Sequence, residues 1–202
     1  AGLVRAVTAL SRTEFKALAD AERAQRPVGD KYTHRATDRP AGSHSPMKCV
    51  NPPVGWMFME GARRLLEAGV HVPGMHGGDG QRVALEAYPG WLARSIVAGS
   101  YKSEAAAGQT RERLANRMLL SEALLRGQHP LGVPLRCDDD ALLEAMSSDG
   151  TGDTLDCVLC LVEAAWAWLR RDAGYGLPLH IDPVEGWIVG VSRPETVDPL
   201  RH

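Results

Sequence analysis

Apolar residues recur at three- and four-residue spacing through the first two dozen positions: Leu3, Val4, Val7 and Leu10, then Phe15, Leu18 and Ala19. That period lines one face of a helix and predicts helix from 3 to 24. Ser11 and Glu14 have the spacing of a capping box, which predicts a break into two helices there, and Pro27 to Asp30 ends the region. Residues 35–53 carry no period and are rich in Pro, Gly and Ser, so they read as a basic linker bearing Arg35, Arg39, His44 and Lys48. Asn51 is placed to cap the next helix, with Pro52 at its first position. That helix runs to about Ala68 on a packing face of Met57, Phe58, Leu65 and Leu66, and Gly69 supplies a left-handed stop.

Beyond Gly69 the period changes. Val70 and Val72 predict a short strand, followed by a glycine-rich turn from Gly74 to Gly80. Residues 82–87 read as a core strand closed by Tyr88-Pro89-Gly90. Helices are expected from Trp91 to about Ala98, near 110–126, at 138–146 and, most strongly, from 153 to about 171. Residues 185–191 read as a terminal strand, and the tail at 194–202 as loose. Three strands suit a helix-rich chain poorly, because a mean sheet has about five or six strands. Either the fold is largely helical, or strands of the sheet precede Ala1.

With 202 residues the chain suits a single domain over 1–202. Composition adds exclusions more than assignments. Twenty-three Lys plus Arg against 25 Asp plus Glu leave a net charge of -2, so a nucleic-acid partner would need a local basic patch. No run of 18 apolar residues predicts a membrane span. The opening Ala1-Gly2-Leu3-Val4-Arg5 lacks a signal peptide's layout, and four scattered cysteines do not make a disulfide scaffold. A cytoplasmic home follows as the expectation.

Chemistry concentrates at the head of the 153–171 helix. The helix is apolar around most of its circumference, which predicts burial on more than one side. A carboxylate at Asp156 is then costly unless hydrogen-bonded, paired or bound to metal. Helix capping by Thr151 or Asp153 is the competing reading for this corner. Glu86, at a strand end, is a second candidate, with a salt bridge to a nearby Arg as its alternative. Arg35, Arg39 and Lys48 of the linker, and Lys102, are candidate phosphate contacts, Arg in bidentate fashion. For the linker, a solvated loop with an Asp38–Arg pair competes. Cys157 and Cys160 read as core packing, and the Gly74–Gly80 turn lacks the Lys-Ser/Thr of a phosphate loop.

Six segments occur in a recognisable order: Arg-x-Thr-Asp-Arg at 35–39, Glu-Ala-Tyr-Pro-Gly at 86–90, Ser-Tyr-Lys at 100–102, Gly-Asp-x-Leu-Asp-x-x-x-Cys at 152–160, Ala-Ala-Trp-Ala-Trp at 164–168 and Glu-Gly-Trp-Ile at 185–188. Together they resemble a prokaryotic family of unknown function predicted to consist of RNase H-like nucleases. The resemblance implies an α/β fold, an RNase H-like mixed five-stranded sheet with flanking helices, incomplete at the N-terminus because the family's first strands would precede Ala1. It implies Asp156, Glu86 and Asp153 as catalytic and metal-ligating carboxylates around Mg²⁺ or Mn²⁺. The activity implied is metal-dependent phosphodiester hydrolysis, with Arg35, Arg39, Lys48 or Lys102 holding the phosphate of a nucleic acid or nucleotide. The alternatives are a non-catalytic nucleotide or nucleic-acid binding module, and an inactive fragment of a family member.

Overall fold

The computed structural model describes residues 2–193, so the tail read as loose at 194–202 lies outside the described residues. The chain divides into two compact units, Ala1–Glu86 with Leu177–His202, and Ala87–Gly176.

In the first unit, α1 (Gly2–Ala9) and α2 (Arg12–Ala24) are separated where the capping box predicts. Ser11 Oγ accepts the Glu14 N–H, and the Glu14 carboxylate accepts the Ser11 N–H at 2.8 Å. Val4, Val7 and Phe15 pack with Met59 and Ala62 of α4 (Val54–Ala68) in one apolar cluster. Residues 35–53 are more ordered than their composition suggests. They contain the single turn α3 (Asp38–Ala41) and bury Thr37, Asp38 and Ser45. Helix α4 starts at Val54 with Pro53 as its cap residue, so Asn51 does not cap it. Met57 is exposed, because the buried face is set by Gly55, Met59 and Ala62 instead. Gly69 ends the helix at φ 63°, the left-handed stop expected of it.

Strands β1 (Val70–His71) and β2 (Asp79–Val83) form the sole sheet among the described residues, a parallel pair. Gly78 sits against the Val70 carbonyl, where a Cβ would overlap it. Four of the five β2 residues are exposed, and the strand stops at Val83. Glu86 pairs with Ile188 only through an isolated bridge, so 82–87 and 185–191 are not core strands, although Trp187, Ile188, Val189 and Val191 are buried. The expected RNase H-like mixed α/β sheet is therefore absent from the described residues, and the fold is predominantly helical. A short apolar run has no period of its own and cannot specify a ladder.

The second unit is all helix and turn: α5 (Pro89–Arg94), α6 (Arg111–Arg126), α7 (Asp140–Ser148) and α8 (Asp153–Trp168), with 3₁₀ turns at Ala106–Gly108 and Arg171–Gly176. Its core contains the fully buried Leu92, Leu120, Leu124, Met146, Leu155 and Leu159. Each buried Leu side chain contributes about 1.5–3 kcal/mol. Thr110 caps α6 by accepting the Arg113 N–H, and Asp139 caps α7 by accepting from Ala141 and Leu142. Helix α8 buries one face only, through Leu155, Val158, Leu159, Val162, Glu163 and Ala167. Cys157, Leu161, Ala164 and Trp168 are exposed, which corrects the expectation of burial on several sides. Among the described residues no helix is long and apolar enough to cross a membrane.

Candidate functional site

The head of α8 is built by two loops of the second unit, around 101–103 and 147–152. Asp149 accepts the Thr151 hydroxyl at 2.6 Å and the Thr154 N–H at 2.9 Å, so it caps the helix from outside its first turn. Those bonds, the Thr151 hydroxyl foremost, hold its carboxyl well below the ordinary range. Gly152 adopts φ 79°, and a Cβ there would lie 2.7 Å from Cβ of Lys102. The missing side chain lets the Lys102 stem lie against the turn. Ser103 N–H donates to the Gly150 carbonyl at 3.1 Å. Buried Arg117 donates to the carbonyls of Ser147 at 2.6 Å and Tyr101 at 2.7 Å, tying α6 to both loops.

Asp156 and Lys102 meet at this corner. The Lys102 ammonium donates to Asp156 Oδ2 at 2.5 Å, and the Tyr101 hydroxyl donates to Oδ1 at 2.5 Å. Burial and the neighbouring carboxylate push the Tyr101 phenol upward, so it stays a donor. The Lys102 side chain is 42% exposed, and one of its three N–H donors is used. Nearby, Gln109 donates to the Ser103 carbonyl, and Arg113 to the Gly108 carbonyl. Asp153 is exposed and stands one turn ahead of Asp156 without sharing these bonds.

Further along α8, Glu163 is fully buried. Its Oε2 accepts the Tyr88 N–H at 2.8 Å, while Oε1 has no hydrogen-bond partner. Burial raises its pKa to about 7, against the opposing backbone bond. Cys160 lies between Asp156 and Glu163 on this side of the helix, and burial followed by those carboxylates raises its thiol to about 11. It is therefore not an activated nucleophile.

In the first unit Arg35 is a clamp. Its guanidinium donates to both oxygens of Glu86, at 2.6 and 2.7 Å, and to fully buried Asp38 at 2.8 Å. It also donates to the Glu185 carbonyl at 3.1 Å. Burial works against its charge, but the bonds to Glu86 and Asp38 outweigh that and raise its pKa. Arg39 is exposed and pairs with Asp30 at 3.3 Å. Half-buried Lys48 makes no ion pair among the described residues; its backbone bonds Ser45 and Gly55.

These donor sets do not fit Mg²⁺ or Mn²⁺. The oxygens of Asp156 are taken by a phenol and an ammonium, and those of Glu86 by one guanidinium. Among the described residues no group of three or more His, Cys, Asp and Glu could hold a metal. The expectation of a divalent-metal centre, and with it the nuclease and hydrolase activity, is thus corrected. No protein-family model, curated protein or solved structure matches this chain. The resemblance to an RNase H-like nuclease family is overturned by that result together with the helical fold. Six short segments in order leave most of the chain between them unconstrained.

Tyr101, Asp149, Gly152, Arg117 and Glu163 were missed in the sequence. Glu163 carried a legible signal, since it is the one charge between Asp156 and Arg170 in an apolar run.

Proposed function

We propose that the second unit binds a phosphate-bearing ligand, a nucleotide or a nucleic-acid strand, at Lys102. The observation that carries this is the Lys102 ammonium, half-exposed and fixed by Asp156, with two donors left for an anion. A free lysine on a surface loses side-chain entropy when it engages a ligand, on the order of 1–2 kcal/mol. Here the ion pair and the Gly152 turn have already restricted the stem. The Ser103 hydroxyl and the Arg113 guanidinium flank Gly108, where they donate to the carbonyls of Ala105 and Gly108. Phosphate oxygens suit the ammonium, because charge-assisted bonds are about twice as strong as neutral ones.

Calorimetric titration of the full chain with a nucleoside triphosphate and with a short single-stranded oligonucleotide tests the proposal. Saturable binding that weakens as salt rises is expected, with affinity reduced about tenfold or more in Lys102→Met, equivalent to about 1.4 kcal/mol. Arg39→Ala should bind as the wild type does. Absence of saturable binding to either ligand, or equal binding by Lys102→Met, would sink the proposal.

A further inference from the structure

Glu163 takes no part in the Lys102 corner, and it ties α8 to the start of α5. Its carboxyl is fully buried: Oε2 accepts the Tyr88 N–H at 2.8 Å, and Oε1 meets no donor. A buried carboxylate is stable only with a cation or several donors, so one backbone N–H leaves the protonated form favoured. Tyr88 stands immediately ahead of α5, whose start has no side-chain cap and carries Pro89, which has no N–H to offer. The helix is six residues long, packs against α8 and buries Leu92 and Ala93 completely.

The other titratable groups around Glu163 are engaged elsewhere. On α8, Asp156 is held by Lys102 and Tyr101, and burial keeps the Cys160 thiol protonated. On α5, the Arg94 guanidinium lies 5.2 Å from the centre of the Tyr88 ring. On α6, Arg117 donates to the Ser147 and Tyr101 carbonyls. Asp140 and Glu144 of α7, and Arg171 and Asp172 beyond α8, are exposed. Burial and the Tyr88 N–H alone therefore set the state of Glu163, and burial outweighs the bond.

We infer that α5 is a proton-controlled flap, which closes on α8 while Glu163 carries its proton and lifts when that carboxyl ionises. One proton passes to solvent as the flap lifts and returns as it closes. In the lifted state Glu163 is solvated and titrates near the ordinary 4.5, whereas in the closed state it titrates near 7. Between those values lifting releases a proton, so the lifted fraction grows by up to about tenfold per pH unit. Above the upper value both states are ionised and the fraction levels off. A short, uncapped helix belongs to the low-stability end of a fold, so α5 opens before the longer helices of its unit. The inference rests on none of the residues assigned to phosphate binding.

Amide hydrogen exchange of the full chain between pH 5 and 8, corrected for the intrinsic exchange rate, is the test. Trp91, Ser95, Ile96 and Val97 report on the flap, since their N–H groups bond carbonyls of Tyr88 to Ala93. They should be less protected than Leu120 and Leu124 of α6 at every pH. Their protection should fall on the order of fiftyfold from pH 5 to 8, with most of the fall below pH 7. Low urea should leave it unchanged, because a local opening exposes little surface. Glu163→Gln, which keeps the shape and an acceptor for Tyr88, and Glu163→Met should each abolish the pH dependence. Equal protection in α5 and α6, α5 protection indifferent to pH or lost in low urea, or the same pH dependence in either variant would overturn the inference.

Discussion

Glu163 shows what one buried carboxyl does to a fold. Its folded-state pKa of about 7 lies above the ordinary 4.5, so between those values the unfolded chain has released a proton that the native state still holds. Stability therefore falls as pH rises through that window and levels off above it. A shift from 4.5 to about 7 corresponds to on the order of 3 kcal/mol, at about 1.4 kcal/mol per unit. Glu163→Gln should remove this component: urea midpoints of wild type and variant should converge near the acid end and diverge in the variant's favour toward neutrality. Parallel midpoint curves would show that Glu163 is not the source. A residue-by-residue scan of the sequence could flag Asp156 and Glu163 alike as charges in an apolar helix. It could not tell them apart, because the difference lies in what meets each one: Tyr101 and Lys102 in the first case, a lone backbone N–H in the second. Those partners stand more than fifty residues away in sequence.

Helix ends were the most legible elements, since a cap is written within four residues. The Ser11–Glu14 box and the Gly69 stop follow the local pattern. The α8 start departs from it, because Asp149 reaches across the turn and Gly152 carries the left-handed backbone. Gly152→Ala meets two penalties, a positive φ and an approach to Lys102 Cβ at 2.7 Å. A loss of about 1–3 kcal/mol is expected in chemical denaturation. Because the Lys102 stem must move aside, ligand affinity should fall as well, even in the fraction that remains folded. A Gly152→Ala protein that is fully stable and binds normally would mean that the turn does not position Lys102. Strands were least legible. Val70-His71 and the 82–87 run are too short for a period to separate sheet from buried turn, and the partner of Glu86 is a single residue 102 positions on, Ile188.

At the scale of the molecule, helices outnumber strands in the sequence pattern, and of its two readings the largely helical one matches the described structure. The motif resemblance pointed the other way. Its pieces mark loops and helix ends, where local chemistry recurs across unrelated architectures, and they say little about the sheet between them. Of the three carboxylates it gathered, Glu86 is held by Arg35 and Asp156 by Lys102 with Tyr101, while Asp153 is exposed and outside both sets. What remains at the α8 head is a Lys102–Asp156 ion pair with two ammonium donors to spare rather than a metal cradle. Amide chemical-shift mapping of the full chain, titrated with a metal-free nucleoside triphosphate, tests that claim most directly. Saturable shifts should concentrate at Lys102, Ser103, Gln109, Arg113 and Gly152, and vanish in Lys102→Met. No shifts, or shifts confined to residues 35–48, would contradict it.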